Sequence, residues 1–236
     1  MGAPIDLVSE RIEGAIVDSV RSCPSYWHGN RLVLDRPPDA AELERWRLRH
    51  RELFAWRGAE FPVVITWYDL LDVPPPEFAD EVHVAMLAPA GCEVAPVPAG
   101  LRSADACDDA AWEAVVELAR VVHPQYREFN RLWLSMLRST LARRRGVLRV
   151  LVNERGVVVA GAAGISWDGV GRYADVQVHP EYRRRGCARY LVTSILADLR
   201  RSVDDVIIVA QAESGAERLY RSIGFVPILS IRSLER

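Results

Sequence analysis

The chain has 236 residues, a length typical of one large domain or two small ones. Half of its residues are hydrophobic, 26% are charged and the formal net charge is -2, which excludes disordered and fibrous proteins. The same charge balance argues against a general electrostatic grip on nucleic acid or an anionic membrane.

The cysteines show no C-x-x-C spacing, and the chain is too large to need disulfides for stability. Four acidic residues interrupt the first twenty positions, which is not typical of a signal peptide. The longest apolar stretch, 157–165, is shorter than the ~20 residues of a membrane span. We therefore expect a soluble cytoplasmic protein with reduced thiols and without a metal site. The cysteines are Cys23, Cys92, Cys107 and Cys187.

The first hundred residues are predicted to start with a helix and then to alternate between strands and helices. The initial amphipathic helix is predicted from apolar residues at helical spacing, namely Ile5, Val8, Ile12, Ile16 and Val20. The elements predicted after it are a strand over 31–35, a helix over 40–56 capped by Asp39, a strand over 61–67, a short helix after Pro74–Pro76 and a strand over 82–87.

The stretch 88–100 is rich in proline, alanine and glycine, which is typical of a domain junction. We therefore predict an N-terminal domain over 1–99 and a C-terminal domain over 100–236. The stretch is also compatible with a short connection across a shared sheet.

The second part has clearer periodicity. Its predicted helices are 108–122, 125–145, 188–199 and 216–223, and its predicted strands are 147–152, 157–166, 172–178, 206–210 and 225–231. A hairpin meander followed by strand–helix–strand–helix–strand indicates an α/β (α+β) fold with a mixed sheet rather than a doubly wound fold.

The segment from Val176 to Leu191 contains the residues that most clearly indicate a functional site. A strand end is followed by a loop with Arg183, Arg184, Arg185 and Gly186, and then by an amphipathic helix. A helix N-terminus with free N–H groups and nearby arginines favours an anion such as a pyrophosphate. The alternative is a solvated run of charges. A Walker loop and a dinucleotide fingerprint are both excluded by their missing glycine patterns.

These residues resemble a known family. The pattern Arg183-x-x-Gly186-x-Ala188 after a strand ending Val176-x-Val178 is similar to the acyl-CoA loop of the GNAT superfamily of N-acyltransferases. The segment Ala216–Phe225 resembles the A-x-x-L-Y-x-x-x-G-F signature of the same family. The resemblance covers about 101–236 and implies a mainly antiparallel sheet flanked by helices.

The resemblance implies a role for each matching residue, with acetyl-CoA as co-substrate. The backbone of Val176, Gln177 and Val178 would pair with the pantetheine arm. Tyr220 would return a proton to the departing thiolate. The loop and helix start would hold the pyrophosphate, through Arg183, Arg184, Arg185, Gly186, Cys187, Ala188 and Arg189.

The sequence offers several candidates for the general base that removes a proton from the acceptor amine. The candidates are carboxylates or a histidine near the loop: Asp168, Asp175, His179 and Glu181. Asp175 is the preferred one, and it is expected on the same strand face as Gln177. The alternative is that Asp175 is a solvated sheet residue. Some GNAT proteins carry Glu where this chain has Gln177, and Gln cannot accept a proton.

Three other residues near the site have alternative interpretations. His179 precedes a proline and is expected to be structural. Cys187, at a helix N-terminus, is expected to be a small packing residue rather than a reactive thiol. Glu213 replaces an Asn of many GNAT proteins and is either an acceptor-side loop residue or a carboxylate at a helix start.

The N-terminal part resembles the reduced, degenerate half that some GNAT proteins carry. The segment Asp35–Asp39 stands where an anion loop would be, but its two prolines remove N–H donors. This part is therefore expected not to bind CoA. Aromatic residues that could line an acceptor cleft, although most are expected in the core, are Tyr26, Trp27, Trp67 and Tyr68.

The resemblance predicts an N-acetyltransferase that moves an acetyl group from acetyl-CoA to a primary amine by direct transfer. A small-molecule acceptor is preferred over a peptide or protein amine, with no nucleic acid and no membrane as partner. The alternative is a non-catalytic acyl-CoA-binding sensor or interaction module. The oligomeric state is open, a homodimer included.

Overall fold

The computed structural model describes residues 7–235 except 22, 23, 25, 27, 28, 59, 60, 72–75, 78, 107, 125, 126 and 144. Some predictions lie outside the described residues, wholly for Ile5, Cys23, Trp27 and Cys107, and partly for the short helix after Pro74–Pro76.

Eleven strands and five α-helices occur among the described residues. The strands are β1 (Leu7–Ile12), β2 (Ala15–Val20), β3 (Arg31–Leu34), β4 (Val64–Asp69), β5 (Glu81–Leu87), β6 (Leu101–Asp105), β7 (Arg145–Asn153), β8 (Val158–Trp167), β9 (Val170–Val178), β10 (Asp205–Gln211) and β11 (Val226–Glu235). The helices are α1 (Ala40–Leu53), α2 (Asp109–Val122), α3 (Arg127–Arg143), α4 (Cys187–Leu199) and α5 (Gly215–Ile223).

The chain forms two compact units. The first contains Met1–Ala85, Val209–Glu217 and Pro227–Arg236, and the second contains Met86–Ile208 and Arg218–Val226. The division into sequence domains over 1–99 and 100–236 stays a prediction.

The sheet of the first unit has the order β1-β2-β3-β4-β11. The β3 and β4 strands are parallel, and the other pairs are antiparallel. Helix α1 covers a core formed by Ala15, Val17, Leu32, Leu34, Leu43, Phe54, Val63, Ile65, Trp67 and Leu234.

The predicted N-terminal helix is wrong, because this segment is the hairpin β1–β2. Val8 and Ile12 in β1, like Ile16 and Val20 in β2, are four residues apart, a spacing that keeps side chains on one face of a strand as well as of a helix. Gly14 decides between the two, since its φ of 80° makes a turn that ends a helix. The register pairs Ile12 with Ala15 across that turn.

The second unit has the sheet order β10-β9-β8-β7-β6. Only the β9–β10 pair is parallel among these neighbours. β6 was not among the predicted strands. Helices α2 and α3 cover one face, where Trp112, Val115, Leu118, Leu134 and Leu137 form the centre of the core.

Helix α4 covers the opposite face of this sheet at very short range. A Cβ added to Gly164 of β8 would lie 2.5 Å from Ile195 of α4, so a glycine is required for this close approach. The stretch 88–100 is fixed to α4 as well, since the Ala95 N–H donates to Thr193 at 2.9 Å.

The two units share one chain plan. A hairpin, a third strand, a helix and a parallel strand follow one another in β1-β2-β3-α1-β4 and again in β7-β8-β9-α4-β10. Two further helices, α2 and α3, precede the second series only. The mixed, mainly antiparallel sheet flanked by helices confirms the predicted fold class, with a smaller, reduced N-terminal part.

None of the helices in the described part of the chain is both long and apolar enough to cross a membrane.

His50 of α1 makes the first unit sensitive to acid. It is buried, its Nε2 accepts from the Val64 N–H at 3.2 Å, and burial lowers its pKa to about 4. The unfolded chain binds a proton near pH 6.5 and the folded chain does not. The contribution of the neutral His50 to the free energy of unfolding is therefore fully present above pH 6.5 and is lost as the pH falls from 6.5 towards 4.

We predict that this histidine accounts for at most about 3 kcal/mol of acid destabilisation. His50→Gln retains an acceptor that does not titrate, so its stability falls less between pH 7 and pH 4.5. Urea denaturation of both proteins at the two pH values measures the difference. An equal loss in both proteins would contradict the assignment.

Candidate functional site

The start of helix α4 is an open anion site. Arg184 and Gly186 are left-handed, with φ of 61° and 86°, and no side chain caps the helix. The first bond inside the helix runs from the Tyr190 N–H to the Gly186 carbonyl at 3.0 Å. The N–H groups of the first turn therefore point out of the helix and can donate to an external acceptor.

The start of α1, the corresponding helix of the first unit, is capped by side chains. Asp39 caps α1 and accepts from the Glu42 N–H at 2.7 Å, while Glu42 accepts from the Asp39 N–H at 3.1 Å. Arg36 in turn pairs with Glu42. Two carboxylates thus occupy the end of α1 that an anion would need; that this unit does not bind CoA stays a prediction.

The arginines of the α4 loop have different surroundings. Arg183 donates to the Val178 carbonyl at 3.3 Å, and Arg185 lies 5.0 Å from the Tyr182 ring centroid. Arg189 is bonded to Ser222 of α5 at 2.6 Å, so its side chain links two helices. Arg184 is exposed. Arg183 and Arg185 therefore hold positive charge beside the open helix end.

A groove of about 550 Å³ lies beside this loop. Its polar lining consists of Asn153, Glu154, Arg155, Tyr182 and Arg185, and the Asn153 amide donates to the Tyr182 hydroxyl at 3.1 Å. The sequence analysis missed Asn153, Arg155 and Tyr182 as site residues. The signal available for Tyr182 was its position next to three arginines.

One edge of β9 is open after its first residues. Within the described strands, β9 pairs with β10 only from Val170 to Arg172, and the following residues up to Val178 pair only with β8. The edge that carries Val176, Gln177 and Val178 is therefore available to an extended ligand with amide groups. This edge leads directly into the α4 loop.

Asp175 lies in a β-bulge of β9. The register with β8 shifts between Gly161, opposite Gln177, and Ala163, opposite Ala174, and Asp175 has a φ of 58°. The bulge interrupts the simple strand alternation on which the sequence analysis relied. Asp175 and Gln177 nevertheless meet, because Gln177 Nε2 lies 2.6 Å from both carboxylate oxygens.

This environment tunes the Asp175 carboxylate. Burial raises its pKa to about 6, against the hydrogen bond from Gln177, which lowers it. The group is therefore ionised at neutral pH but binds a proton much more readily than a solvated aspartate. Asp175 is therefore not an ordinary solvated sheet residue, because burial raises its pKa.

Tyr220 of α5 is a buried phenol, 5% exposed, and burial raises its pKa to about 12. Its ring lies 6.0 Å from Phe225, which in turn lies 6.1 Å from Tyr173 of β9. The Tyr173 hydroxyl donates to the Val192 carbonyl of α4. Tyr220 thus keeps its proton over the neutral pH range and belongs to an aromatic cluster beside β9.

The remaining candidates have structural surroundings. His179 accepts from the Glu181 N–H at 3.3 Å and starts the short 3₁₀ helix Pro180–Tyr182. Cys187 is buried, and burial raises the pKa of its thiol, which agrees with a packing role. The Glu213 N–H donates to Glu217 at 2.6 Å, so the carboxylate near the start of α5 belongs to Glu217.

Two of the other residues also have clear places. Asp168 forms the β8–β9 turn with Gly169, and both have positive φ. Trp67 is fully buried in the core of the first unit, while Tyr68 is 46% exposed. No group of three or more His, Cys, Asp or Glu residues in the described part of the chain is placed to hold a metal ion.

Comparisons with known proteins agree with this geometry. Residues 144–227 match the family model of the acetyltransferase (GNAT) domain. A comparison with curated protein sequences finds no significant match.

Solved structures of similar fold extend over both parts of the chain. A conserved protein of unknown function from Staphylococcus epidermidis has a TM-score of 0.77 at 11% identity, over 98% of this chain and 94% of its own. A GCN5-related N-acetyltransferase from Kribbella flavida has a TM-score of 0.67 at 17% identity, over 97% and 89%. A tandem GNAT protein from the clavulanic acid biosynthesis pathway has a TM-score of 0.63 at 15% identity, over 99% and 84%.

Residues 144–227 therefore match the GNAT acetyltransferase domain, and the chain as a whole has a GNAT fold in two parts. The matched residues, 144–227, include the bulge of β9, the loop before α4 and Tyr220.

The left-handed conformation at the start of α4 predicts a graded effect of substitution at Gly186. Gly186→Ala should cost about 1 kcal/mol of folding stability because of its positive φ. Space is not the cause, since an added Cβ would meet Pro98 at 3.9 Å, an ordinary contact. Gly186→Asn should cost less, because Asn tolerates this region better.

Chemical denaturation of the three proteins at neutral pH gives these differences. Equal stability of the wild type and Gly186→Ala would show that the loop does not need the left-handed backbone.

Proposed function

We propose that this protein is an N-acyltransferase that moves an acetyl group from acetyl-CoA to a primary amine by direct transfer. The observation that carries the proposal is the uncapped start of α4, with Arg183 and Arg185 beside it, at the end of an open strand edge. The first feature suits a pyrophosphate, and the second suits the amide groups of a pantetheine arm.

The residues present fit acetyl-CoA. The backbone of Val176, Gln177 and Val178 would hold the pantetheine. The N–H groups from Arg184 to Arg189 would hold the pyrophosphate, with Arg183 and Arg185 adding charge. The groove lined by Arg155, Tyr182 and Arg185 would take the nucleotide end. When bound, acetyl-CoA supplies an activated acetyl thioester.

Asp175 is the proposed general base. An alkyl amine is mostly protonated at neutral pH and cannot attack a thioester carbonyl until it loses that proton. The Asp175 carboxylate, with a pKa raised to about 6, is ionised at neutral pH and accepts the proton. Activity should therefore fall as the pH decreases through about 6, where Asp175 becomes protonated.

Tyr220 is the proposed general acid. Its pKa of about 12 keeps the hydroxyl protonated at neutral pH, so it can donate to the departing sulfur. A backbone N–H of β9 near Val178 would stabilise the negative charge on the carbonyl oxygen. The new C–N bond forms as the C–S bond breaks, and the sulfur receives the proton.

The acceptor is proposed to be the amine of a small molecule, with a peptide or protein amine as the second candidate. The near-zero net charge favours a compact acceptor over nucleic acid or a membrane. A cytoplasmic location is part of the same proposal. The alternative function, a non-catalytic acyl-CoA sensor, would need only the α4 loop and the β9 edge.

Binding is tested by calorimetric titration with acetyl-CoA. We predict micromolar binding by the wild type and at least a tenfold loss in Gly186→Asp, because its carboxylate opposes the pyrophosphate. Gly186→Asn is the matched control for shape without charge and should bind much more tightly than Gly186→Asp. Asp39→Asn, at the corresponding helix of the first unit, should bind as the wild type does.

If the wild type does not bind acetyl-CoA, the proposed function is wrong. Equal weakening in the aspartate and asparagine variants would show that the loop does not contact an anion.

Catalysis is tested with Tyr220→Phe in an amine screen for CoA release. An enzyme should keep its affinity for acetyl-CoA in this variant and lose about 100-fold in kcat, the lower end of the range for general acids. A wild type that binds acetyl-CoA but turns over none of the amines would favour the sensor.

A further inference from the structure

We propose that Gln177 is a positioning residue, whose side-chain amide holds the Asp175 carboxylate in the β9 bulge so that it can take the proton of the acceptor amine. This inference rests on the proposed function and adds a residue that sequence analysis treated only as part of the pantetheine edge and as unable to act as a base.

The geometry of the pair supports this role. Gln177 is 4% exposed, and its Nε2 lies 2.6 Å from each carboxylate oxygen of Asp175. One amide nitrogen donating towards both oxygens fixes the plane of the carboxylate as well as its position. Asp175 itself has left-handed backbone geometry, with a φ of 58°. Both ends of the Asp175 side chain are thus determined by local structure.

The oxygen of the same amide indicates that the buried position of Gln177 lowers the folding stability. Gln177 Oε1 is buried and has no hydrogen-bond partner among the described residues. A buried acceptor without a partner lowers folding stability. An apolar side chain of similar length would avoid this cost, so the contribution of the amide lies in its donor end.

Few charges compete with Gln177 for this carboxylate. β8 places uncharged residues opposite the bulge, from Ala160 to Ala163. Of the helices packed against β9, α2 buries no titratable side chain, and α4 buries Cys187 and Tyr190. Burial and the Gln177 hydrogen bond are the causes of the Asp175 pKa shift, and they act in opposite directions.

The nature of the donor matters for the chemistry. A neutral amide stabilises the ionised carboxylate, so it keeps the base ready at neutral pH without neutralising it. A glutamate at this position would place a second carboxylate beside the first, and the pair would share a proton. Gln177 therefore leaves the proton-accepting role to Asp175 alone.

The experiment compares the wild type with Gln177→Met and Gln177→Glu. The pKa of Asp175 is measured by carboxyl ¹³C NMR titration and assigned with Asp175→Asn. The pH profile of kcat is measured for the same proteins. Loss of the donor in Gln177→Met should raise the pKa and the acidic limb of the profile by roughly one pH unit. Gln177→Glu should raise them further.

Stability and a matched control separate positioning from simple packing. Gln177→Met removes the unpartnered oxygen, and at pH 4.5, where Asp175 is mostly protonated, it should be as stable as the wild type or more so. Asn130→Leu removes another buried amide, one that donates to the Ala119 and His123 carbonyls. It should be less stable than the wild type and leave the Asp175 pKa unchanged.

An unchanged Asp175 pKa in Gln177→Met, with an active wild type, would overturn the positioning role and leave the proposed function intact. A wild type that binds acetyl-CoA and acylates no amine would overturn both. A raised pKa with an unmoved kcat profile would show that Asp175 is not the base that Gln177 serves.

Discussion

The backbone N–H groups at the start of α4 are the feature on which this site depends. A helix leaves its first N–H groups without internal partners, and most helices satisfy them with a side-chain cap. In the first unit, Asp39 and Glu42 do this for α1. At α4 the cap position is Gly186, which has no side chain, and the donors remain open to a ligand.

The same chain plan therefore gives two chemically different helix ends. Both units place a helix after the third strand of a hairpin meander, where an anion could bind. Carboxylates at α1 fill this position and stabilise the helix. At α4 the cap position is a glycine, and the helix start stays open, with Arg183 and Arg185 beside it. This difference is the reason why the proposed acetyl-CoA site is placed at α4 of the second unit and not at α1 of the first.

A second departure from regular structure adjoins the first. β9 leaves β10 after Arg172 and contains a bulge at Asp175. Separation of the strands opens a backbone edge, and the bulge brings a partly desolvated carboxylate against the Gln177 amide. Both irregularities lie within the fourteen residues that precede Gly186. Helices α2, α3 and α4 pack regularly on the two faces of the sheet, and this packing holds the irregular segments of backbone in place.

Much of the site could be predicted from local sequence, because its determinants are local. The loop from Arg183 to Ala188 and the segment Ala216–Phe225 have fixed spacings that resemble a known family and predict its fold. The initial hairpin could not be separated from a helix by apolar spacing alone. The bulge at Asp175 was also hidden, since it depends on the register of β9 against β8. The Gln177 contact follows from that register.

Amide NMR of the start of α4 tests the central claim most directly. Spectra of the ¹⁵N-labelled protein are recorded while acetyl-CoA is added. The account predicts that the largest changes occur at the N–H groups of Gly186, Cys187 and Ala188, and that the start of α1 does not change. Binding that leaves these three signals unmoved, or that shifts the α1 signals instead, would contradict it.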